Sequence, residues 1–390
     1  MFQALVITFV YLAVLSCCGI VFLMGDPTSD SLLGKASYLL TVFLPSSLEK
    51  VMACLPGGRA VLNAVKRFYH YMFYCPNPIL QLVYLTLVIG GYVLFQFEGM
   101  HHIPNKYVGP IHAYTAHVAV IGTLISFLKA SSTDPGFICR VSQHDHFEYD
   151  GFLYVKRDCT TCKRPKPARS KHCSICGVCV SKFDHHCPWI NLCVGEMNYR
   201  YFLLFLTCTL CLLWYAGIVI FLILLNFVEE NALFDKVFIN HETGERFKAD
   251  TMIVMQFLFL DKGLLLALMV LCMVMGMVMF GFIGYHFYLI AKGTSTNESS
   301  KWGMVFSYYE MLNKHRKENP GDHGDQLVLL NPNIMPPIEA RTASQFPLLI
   351  PKNIYNLGIM ANFKQVLFPH NETSTSPKKK QSGKKKAKKI

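Results

Sequence analysis

The chain has 390 residues, of which 52% are hydrophobic and only 16% are charged. Soluble domains carry about 25% charged residues, so this composition excludes a chain of two or three soluble domains and predicts a membrane protein. The formal net charge is +12, and eight lysines lie between Lys378 and Lys389. On a protein with several spans, such a basic tail more often faces anionic lipid than nucleic acid, so no nucleic-acid partner is expected.

Five apolar segments of membrane-spanning length follow one another along the chain. The predicted fold is an all-α integral membrane protein with about five transmembrane helices, at residues 1–24, 79–97, 111–129, 201–228 and 262–291. A cleaved signal peptide is the alternative interpretation of the first segment. No basic residues precede that segment and its apolar run is long, which favours a retained helix.

Two of the connecting segments differ in character. Residues 25–78 are predicted to hold either an amphipathic helix in the membrane interface, carrying Arg59, Lys66 and Arg67, or a short packed helix within a loop. Residues 229–255 form a polar and acidic loop. The positive-inside rule places this loop in the lumen and the basic segments in the cytosol.

Beyond the last span, residues 292–370 are predicted to be a cytosolic C-terminal region and residues 371–390 a disordered basic tail. The last span itself carries Gly276, Gly281 and Gly284 among several methionines. Small residues at such spacing allow another helix to approach closely. A methionine stripe is more often core packing than a metal route, so no metal is predicted there.

The densest chemistry lies in residues 159–193, where seven cysteines and three histidines occur. The cysteines stand in C-x2-C pairs mixed with histidine, which is typical of zinc sites rather than disulfides. Two tetrahedral sites need eight ligands, so one histidine and one cysteine are left over. Within Asp184-His185-His186-Cys187 they would form a thiol nucleophile and its base, with the aspartate orienting the imidazole. The spacing alone leaves open which histidine binds metal.

Residues 159–193, followed by Asn198 and Phe202, resemble the cysteine-rich domain of the DHHC protein S-acyltransferases, the palmitoyltransferases. Two positions depart from this resemblance, since asparagine is common in place of Leu192 and threonine in place of Ser295. The additional N-terminal span resembles an endoplasmic-reticulum subgroup of the family. Three outlying motifs agree with the resemblance: Asp134-Pro135-Gly136 after a span, Ser295-Thr296-Asn297-Glu298 after the last span, and Asn353-x-Tyr355-x2-Gly358-x3-Asn362.

The resemblance implies a small cytosolic domain of short β-hairpins at residues 134–200, between the third and fourth spans, with two structural zinc ions. One zinc would be held by Cys159, Cys162, His172 and Cys179, and the other by Cys173, Cys176, His186 and Cys193. The catalytic residues would be Cys187, His185 and Asp184.

The resemblance also implies a reaction in two steps. Cys187 would take a palmitoyl-type acyl group from acyl-CoA and pass it to cysteines of cytosol-facing membrane or peripheral proteins, with the acyl tail lying between the spans in the bilayer. The CoA phosphates would be met by basic residues at four positions: Arg164, Lys166, Arg169 and Lys171. The alternative for these cations is simple attraction to the membrane surface.

The predicted location is the endoplasmic-reticulum membrane. Lys386 and Lys388 fit a dilysine retrieval signal, and the sequons at Asn297 and Asn371 face the cytosol in this topology and should be unmodified. A zinc-structured membrane scaffold or ligase adaptor without covalent chemistry is the alternative function. A transporter is disfavoured because the spans lack the charged midplane residues that ion pathways use.

Overall fold

The structure is a computed structural model that describes residues 32–138, 146–239, 244, 246–318 and 352–369. The predicted first span at residues 1–24 lies outside the described residues. The same holds for the basic tail at residues 371–390, with its dilysine pair and the Asn371 sequon.

The helices are listed here in chain order with the labels used below. They are α1 (Leu32–Tyr38), α2 (Leu44–Cys54), α3 (Gly58–Tyr74), α4 (Ile79–Glu98), α5 (His112–Ser132), α6 (Tyr199–Glu230), α7 (Thr251–Asp261), α8 (Gly263–Ala291), α9 (Thr296–Glu318) and α10 (Ile359–Leu367). A π-helical turn at Leu39–Phe43 joins α1 to α2, and 3₁₀ turns lie at Met100–His102 and Leu233–Asp235.

Four described helices, α4, α5, α6 and α8, are long and apolar enough to cross a membrane. Their bounds differ by at most three residues from the four predicted spans, the largest difference being the end of α5 at Ser132 against residue 129. In the bundle α6 packs against both α5 and α8, and α4 packs against α8. Large apolar side chains such as Leu87, Ile125 and Phe221 point outward and are more than half exposed, as lipid-facing residues are.

Glycines bring α6 and α8 together at two levels of the bundle. A Cβ on Gly276 would lie 3.3 Å from the indole nitrogen of Trp214, and a Cβ on Gly217 would lie 2.7 Å from the sulfur of Met273. The predicted close approach therefore occurs at Gly276. It does not extend to Gly281 and Gly284, where an added Cβ would meet nothing within 4 Å.

The segment predicted as a polar loop at residues 229–255 contains more structure than the sequence suggested. Strands β5 (Val237–Ile239) and β6 (Arg246–Lys248) form a hairpin, and α7 begins within the predicted loop. Asp250 caps α7 by accepting a hydrogen bond of 2.8 Å from the Ile253 N–H. With eleven residues α7 is too short to span the bilayer.

Residues 25–78 form helices over most of their described length. The helices α2 and α3 pack against each other, and Lys66 bonds Glu49 between them. Apolar side chains of α3, including Val65 and Phe68, are more than half exposed. A membrane-interface position for α3 stays a prediction.

The cysteine-rich segment between α5 and α6 is built on two β-hairpins. The first pairs β1 (Lys171–Cys173) with β2 (Val178–Val180), and the second pairs β3 (His185–Cys187) with β4 (Leu192–Val194). These strands have only three residues each, so they bury little apolar surface of their own. The fold of this module therefore depends on contacts among the side chains of its cysteines and histidines.

Candidate active site

The cysteines and histidines of the module form two clusters that could each hold a metal ion. Within each cluster the ligand atoms lie within 4.8 Å of one another. The first cluster consists of Cys159, Cys162, His172 and Cys179, and the second of Cys173, Cys176, His186 and Cys193. Three thiolates and one imidazole are a donor set typical of structural zinc sites. The clusters contain the same residues that the family resemblance implied.

The hairpin register explains how the clusters form. His172 lies opposite Cys179 in the first hairpin, and His186 lies opposite Cys193 in the second. Each hairpin thus supplies one histidine and one cysteine on the same face, and a C-x2-C pair completes the set. Successive side chains of a strand point to opposite faces, so Cys173, the neighbour of His172, belongs to the other cluster.

The same alternation separates the two adjacent histidines. His186 points to the metal side of β3, whereas His185 and Cys187 lie two residues apart on the opposite face. The His185 Nδ1–H donates to Asp184 Oδ2 at 2.7 Å, and His185 also hydrogen-bonds Cys187. The structure therefore brings together the three residues predicted to be catalytic.

Burial and hydrogen bonding oppose each other at this triad. Burial by itself would lower the pKa of His185, but the hydrogen bonds to Asp184 and Cys187 outweigh it and raise the pKa to about 10. Burial would likewise raise the pKa of Asp184, but the bond to His185 holds it below its usual value. The arrangement favours an imidazolium that lies between the Asp184 carboxylate and the Cys187 sulfur.

Helix α9 fixes the carboxylate of Asp184. The Thr296 backbone N–H donates to Oδ1 at 2.7 Å, and the Thr296 hydroxyl donates to Oδ2 at 2.9 Å. Thr296 is the first residue of α9, so Asp184 lies at the positive end of the helix dipole. The sequence placed Thr296 in a motif without a role, and the structure shows that it holds Asp184.

Ser295 and Glu298 form a capping box at the start of α9. The Ser295 hydroxyl accepts from the Glu298 N–H at 3.2 Å, and the Glu298 carboxylate accepts from the Ser295 N–H at 2.9 Å. The Ser295 hydroxyl also donates to the Phe183 carbonyl oxygen at 3.0 Å. Serine supplies these bonds as well as threonine would, so the departure at this position preserves the motif's function.

The prediction that Arg169 meets CoA phosphates is wrong. Arg169 is 1% exposed and forms a two-pronged ion pair with Glu298. Its guanidinium lies against the rings of Tyr355, at 4.5 Å from the ring centroid, and Phe147, at 5.1 Å. The Arg169 charge is balanced inside the protein by Glu298, which lies 129 residues further along the chain.

The other three cations lie where an anion can reach them. Arg164 and Lys171 are exposed and Lys166 is half-buried. Burial lowers the pKa of Lys166, and the charge of Arg157 lowers it further. Burial followed by the charge of Lys166 lowers the pKa of Lys301 to about 8. The charges of Lys166, Lys171 and Arg157 thus act on Lys301, a cation that the sequence had not identified because it lies on α9.

The Asp134-Pro135-Gly136 turn joins the module to α5. The Asp134 carboxylate accepts from the backbone N–H groups of Gly136 and Phe137 at 2.8 and 2.9 Å. The carbonyl oxygen of Gly136 accepts from Ser181 N at 2.9 Å. Gly136 has a φ of 101°, a backbone conformation that favours glycine.

The C-terminal motif joins the module to the last span. The Tyr355 hydroxyl donates to the Glu148 carbonyl oxygen at 2.8 Å. The Asn362 amide donates to the Ala291 carbonyl oxygen, at the end of α8, at 3.1 Å. Helix α10 packs against α6 and α8, so the sequence that follows the last span returns to cover the module.

Comparison with known proteins places this site in a family. The sequence model described as DHHC palmitoyltransferase matches residues 154–303. The chain is 30% identical over 357 residues to palmitoyltransferase swf1 of Schizosaccharomyces pombe, an alignment that covers 87% of this chain and 89% of that protein.

This chain belongs to the DHHC palmitoyltransferase family. It is 27% identical over 300 residues to palmitoyltransferase ZDHHC4 of Bos taurus, covering 75% of this chain and 83% of the relative. It is also 29% identical over 323 residues to palmitoyltransferase SWF1 of Yarrowia lipolytica, covering 75% and 79%. The predicted family and the predicted protein S-palmitoyltransferase activity are confirmed by these relatives.

One position of the DHHC module differs from the common family pattern. Leu192 lies directly opposite Cys187 in the hairpin. Its side chain packs on an apolar cluster that includes Cys187 and Phe202. In this palmitoyltransferase the residue opposite Cys187 therefore makes an apolar contact, where a side chain that forms hydrogen bonds is common in the family.

Proposed function

We propose that the protein transfers a palmitoyl-type acyl group from acyl-CoA to a cysteine of a protein substrate, through a thioester on Cys187. The observation that carries the proposal is the placement of His185 and Cys187 on β3, with Asp184 directly before the strand. His185 and Cys187 share the strand face that points away from the metal ligand His186. A purely structural zinc module does not need a hydrogen-bonded Asp-His-Cys set beside its metal ligands.

The proposed first step is a thioester exchange. The Cys187 thiolate attacks the acyl carbonyl carbon, the bond from that carbon to the CoA sulfur breaks, and His185 protonates the departing CoA thiolate. In the second step His185 removes the proton from a substrate cysteine, whose sulfur attacks the Cys187 thioester. Cys187 leaves as the thiolate, which restores the starting state. Asp184 holds the imidazole in the required tautomer.

The surroundings of Cys187 support an acyl tail lying between the spans. Cys187 is 6% exposed and belongs to one apolar cluster together with residues from α4, α5, α6, α8 and α10. The members of that cluster nearest the module in sequence include Phe127 and Ala130 at the end of α5 and Phe202 and Leu203 at the start of α6. We propose that the tail enters the bundle along this cluster.

The CoA phosphates are assigned to a revised set of cations. We propose that Arg164, Lys166 and Lys171, joined by Arg157 and Lys301, meet the phosphates. The support is that, after burial, the charges of Arg157 and Lys171 lower the pKa of Lys166, and those of Lys166, Lys171 and Arg157 lower the pKa of Lys301. An anion among these cations would relieve their repulsion. Arg169 is not part of the set.

Two zinc ions are proposed to be the structural metals of the module. The zinc would fix the hairpins through the eight ligands, and the reaction would be carried by the side chains on the opposite face of β3. The proposed topology puts the module in the cytosol, because the positively charged segments lie on its side of the bundle. An endoplasmic-reticulum location and membrane-associated substrates complete the proposal.

The test uses the purified full chain and a labelled long-chain acyl-CoA. The wild type should form an adduct that hydroxylamine removes, and Cys187→Ser should form none while keeping both metals. Cys54→Ser is the matched control, since Cys54 is an exposed cysteine far from the module in sequence, and it should behave as the wild type. An adduct that persists in Cys187→Ser, or a wild type that forms none, would instead favour the scaffold function.

A further inference from the structure

One ionisable side chain of the last span lies beside the proposed triad without taking part in it. His286 is 1% exposed, and the centroid of its ring lies 6.2 Å from that of His185. Ionisable residues inside membrane spans are rare and usually face a functional site or a polar partner. In the described part of the chain His286 belongs to neither metal cluster.

His286 is tied to the start of the neighbouring span. Its Nδ1 lies 2.8 Å from the Tyr199 hydroxyl, and Tyr199 is the first residue of α6. The bond therefore links α8 to α6 where the bundle meets the module. Both residues are at least 90% buried, so the hydrogen bond between them replaces the bonds that each would otherwise make to water.

Phe202 connects this pair to His185. Its ring lies edge-on to His185 at 5.5 Å and edge-on to His286 at 5.4 Å between centroids. The Asp184 carboxylate also interacts electrostatically with both histidines. Asp184 bonds the Nδ1 of His185, whereas Phe202 and His286 pack against its ring.

We propose that Tyr199 and His286 form a positioning pair that holds the His185 imidazole between Asp184 and Cys187. Strand β3 has only three residues, so it does little to restrain the His185 ring by itself. The Tyr199–His286 bond holds Phe202 and the His286 ring against that imidazole. The inference rests on the proposed function, in which His185 activates Cys187.

The experiment compares variants of the full chain in detergent. Tyr199→Phe removes the hydroxyl while keeping the ring, and His286→Leu removes the bonding nitrogen. His286→Gln keeps an amide group that can accept or donate a hydrogen bond. Tyr215→Phe is the matched control. Its hydroxyl makes an interhelical bond of the same kind, to Thr115 at 2.7 Å, but at a distant level of α6.

The first readout is the rate at which iodoacetamide alkylates Cys187, monitored by peptide mass spectrometry. The other readouts are the kcat and KM for acyl-CoA and the zinc content. Tyr199→Phe and His286→Leu should slow both alkylation and kcat by about fivefold, the effect of losing one hydrogen bond. KM and zinc content should not change, His286→Gln should recover most of the rate, and Tyr215→Phe should match the wild type.

Equal alkylation rates in Tyr199→Phe and Tyr215→Phe would overturn the positioning role of the Tyr199–His286 pair. This conclusion would hold even if both variants still transferred the acyl group. Loss of zinc from His286→Leu would mean that this substitution disrupts the module. The alkylation rate of Tyr199→Phe then decides the positioning role, because this substitution preserves the volume of the side chain. Failure of the proposed function would show itself differently, since no acyl adduct would then form on wild-type Cys187. The alkylation rates would still report whether the pair acts on His185.

Discussion

At the scale of single residues, the alternation of side chains along β3 distinguishes two adjacent histidines. His186 and Cys193 face each other and belong to a metal cluster, whereas His185 and Cys187 lie on the other face. Two neighbouring imidazoles of identical chemistry therefore point in opposite directions, and we propose metal binding for His186 and activation of Cys187 for His185. A one-residue shift in the register of this hairpin would exchange those tasks.

This separation predicts different outcomes for two matched substitutions. His185→Ala should keep two zinc ions per chain and lose acyl transfer by a factor of roughly 10²–10⁴, the usual contribution of a positioned acid or base. His186→Ala should lose one zinc and destabilise the module. Metal analysis and the acylation assay on both proteins measure this. Loss of zinc from His185→Ala, with retention in His186→Ala, would reverse the assignment.

Thr296 offers a second prediction at this scale. Thr296→Val removes the hydroxyl that bonds Asp184 but keeps the backbone N–H that bonds the other carboxylate oxygen. We expect acyl transfer to fall about fivefold, because one hydrogen bond of about 1 kcal/mol is lost, with zinc content unchanged. Thr294→Val is the control, since the Thr294 hydroxyl bonds the Leu289 carbonyl oxygen instead. Equal activity in the two variants would contradict the role of Thr296.

At the scale of secondary-structure elements, α9 connects the catalytic module to the last span. Ser295 and Glu298 cap its first turn, and Thr296 in the same turn binds Asp184. This turn also places Glu298 against Arg169. Because Glu298 and Arg169 are each at most 2% exposed, removing one partner would leave a buried charge. Such a loss costs about 3–5 kcal/mol.

The Arg169–Glu298 pair predicts a pH-dependent stability. Burial alone would raise the pKa of Glu298, but Arg169 holds it below its usual value. The stabilisation is therefore present above the unfolded pKa of about 4.3 and is lost as the pH falls through the lower folded value. Glu298→Gln should reduce thermal stability most at neutral pH, with the difference from the wild type shrinking below about pH 4. A difference independent of pH would contradict this account.

The turn after α5 gives a steric prediction. A Cβ on Gly195 would lie 2.5 Å from the Pro135 carbonyl oxygen and 3.0 Å from the Ser181 carbonyl oxygen, so two backbone segments would have to move. Gly195→Ala should destabilise the protein by about 1–3 kcal/mol. Gly303→Ala, where an added Cβ would meet nothing within 4 Å, is the control. Thermal unfolding of both variants measures the difference, and a Gly195→Ala protein as stable as the control would contradict the prediction.

At the scale of the whole molecule, four spanning helices and a small module share one apolar cluster around Cys187. The helices keep their backbone hydrogen bonds within themselves. The module has only short hairpins, and its stability is expected to come from metal, which supplies about 10–16 kcal/mol in small zinc peptides. The molecule therefore combines two parts that are stabilised by different forces.

Removal of the metal should affect these two parts differently. A strong chelator should release two zinc ions per chain, abolish acyl transfer and make the module sensitive to trypsin, while most of the helical circular dichroism remains. Cys173→Ala should reproduce this sensitivity without chelator. A chelated protein that stays active and resists trypsin, or one that releases a single zinc, would contradict the proposed role of the metals.

The sequence by itself determined the features that depend on neighbouring residues. The four described helices of membrane-spanning length were recognisable as apolar runs, and the ligand count predicted a surplus histidine and cysteine within residues 184–187. The helix at α7 was missed because its apolar residues continue towards the next span, and only the break at Lys262 separates the two helices.

The tertiary structure decided the features that depend on residues far apart in the chain. The pairing of Arg169 with Glu298, the approach of Lys301 to Lys166 and the Tyr199–His286 bond join positions 87 to 135 residues apart. Packing sets which of these charges are buried and which remain exposed. A sequence shows that a cation is present, but its role depends on whether the fold places a counter-charge beside it.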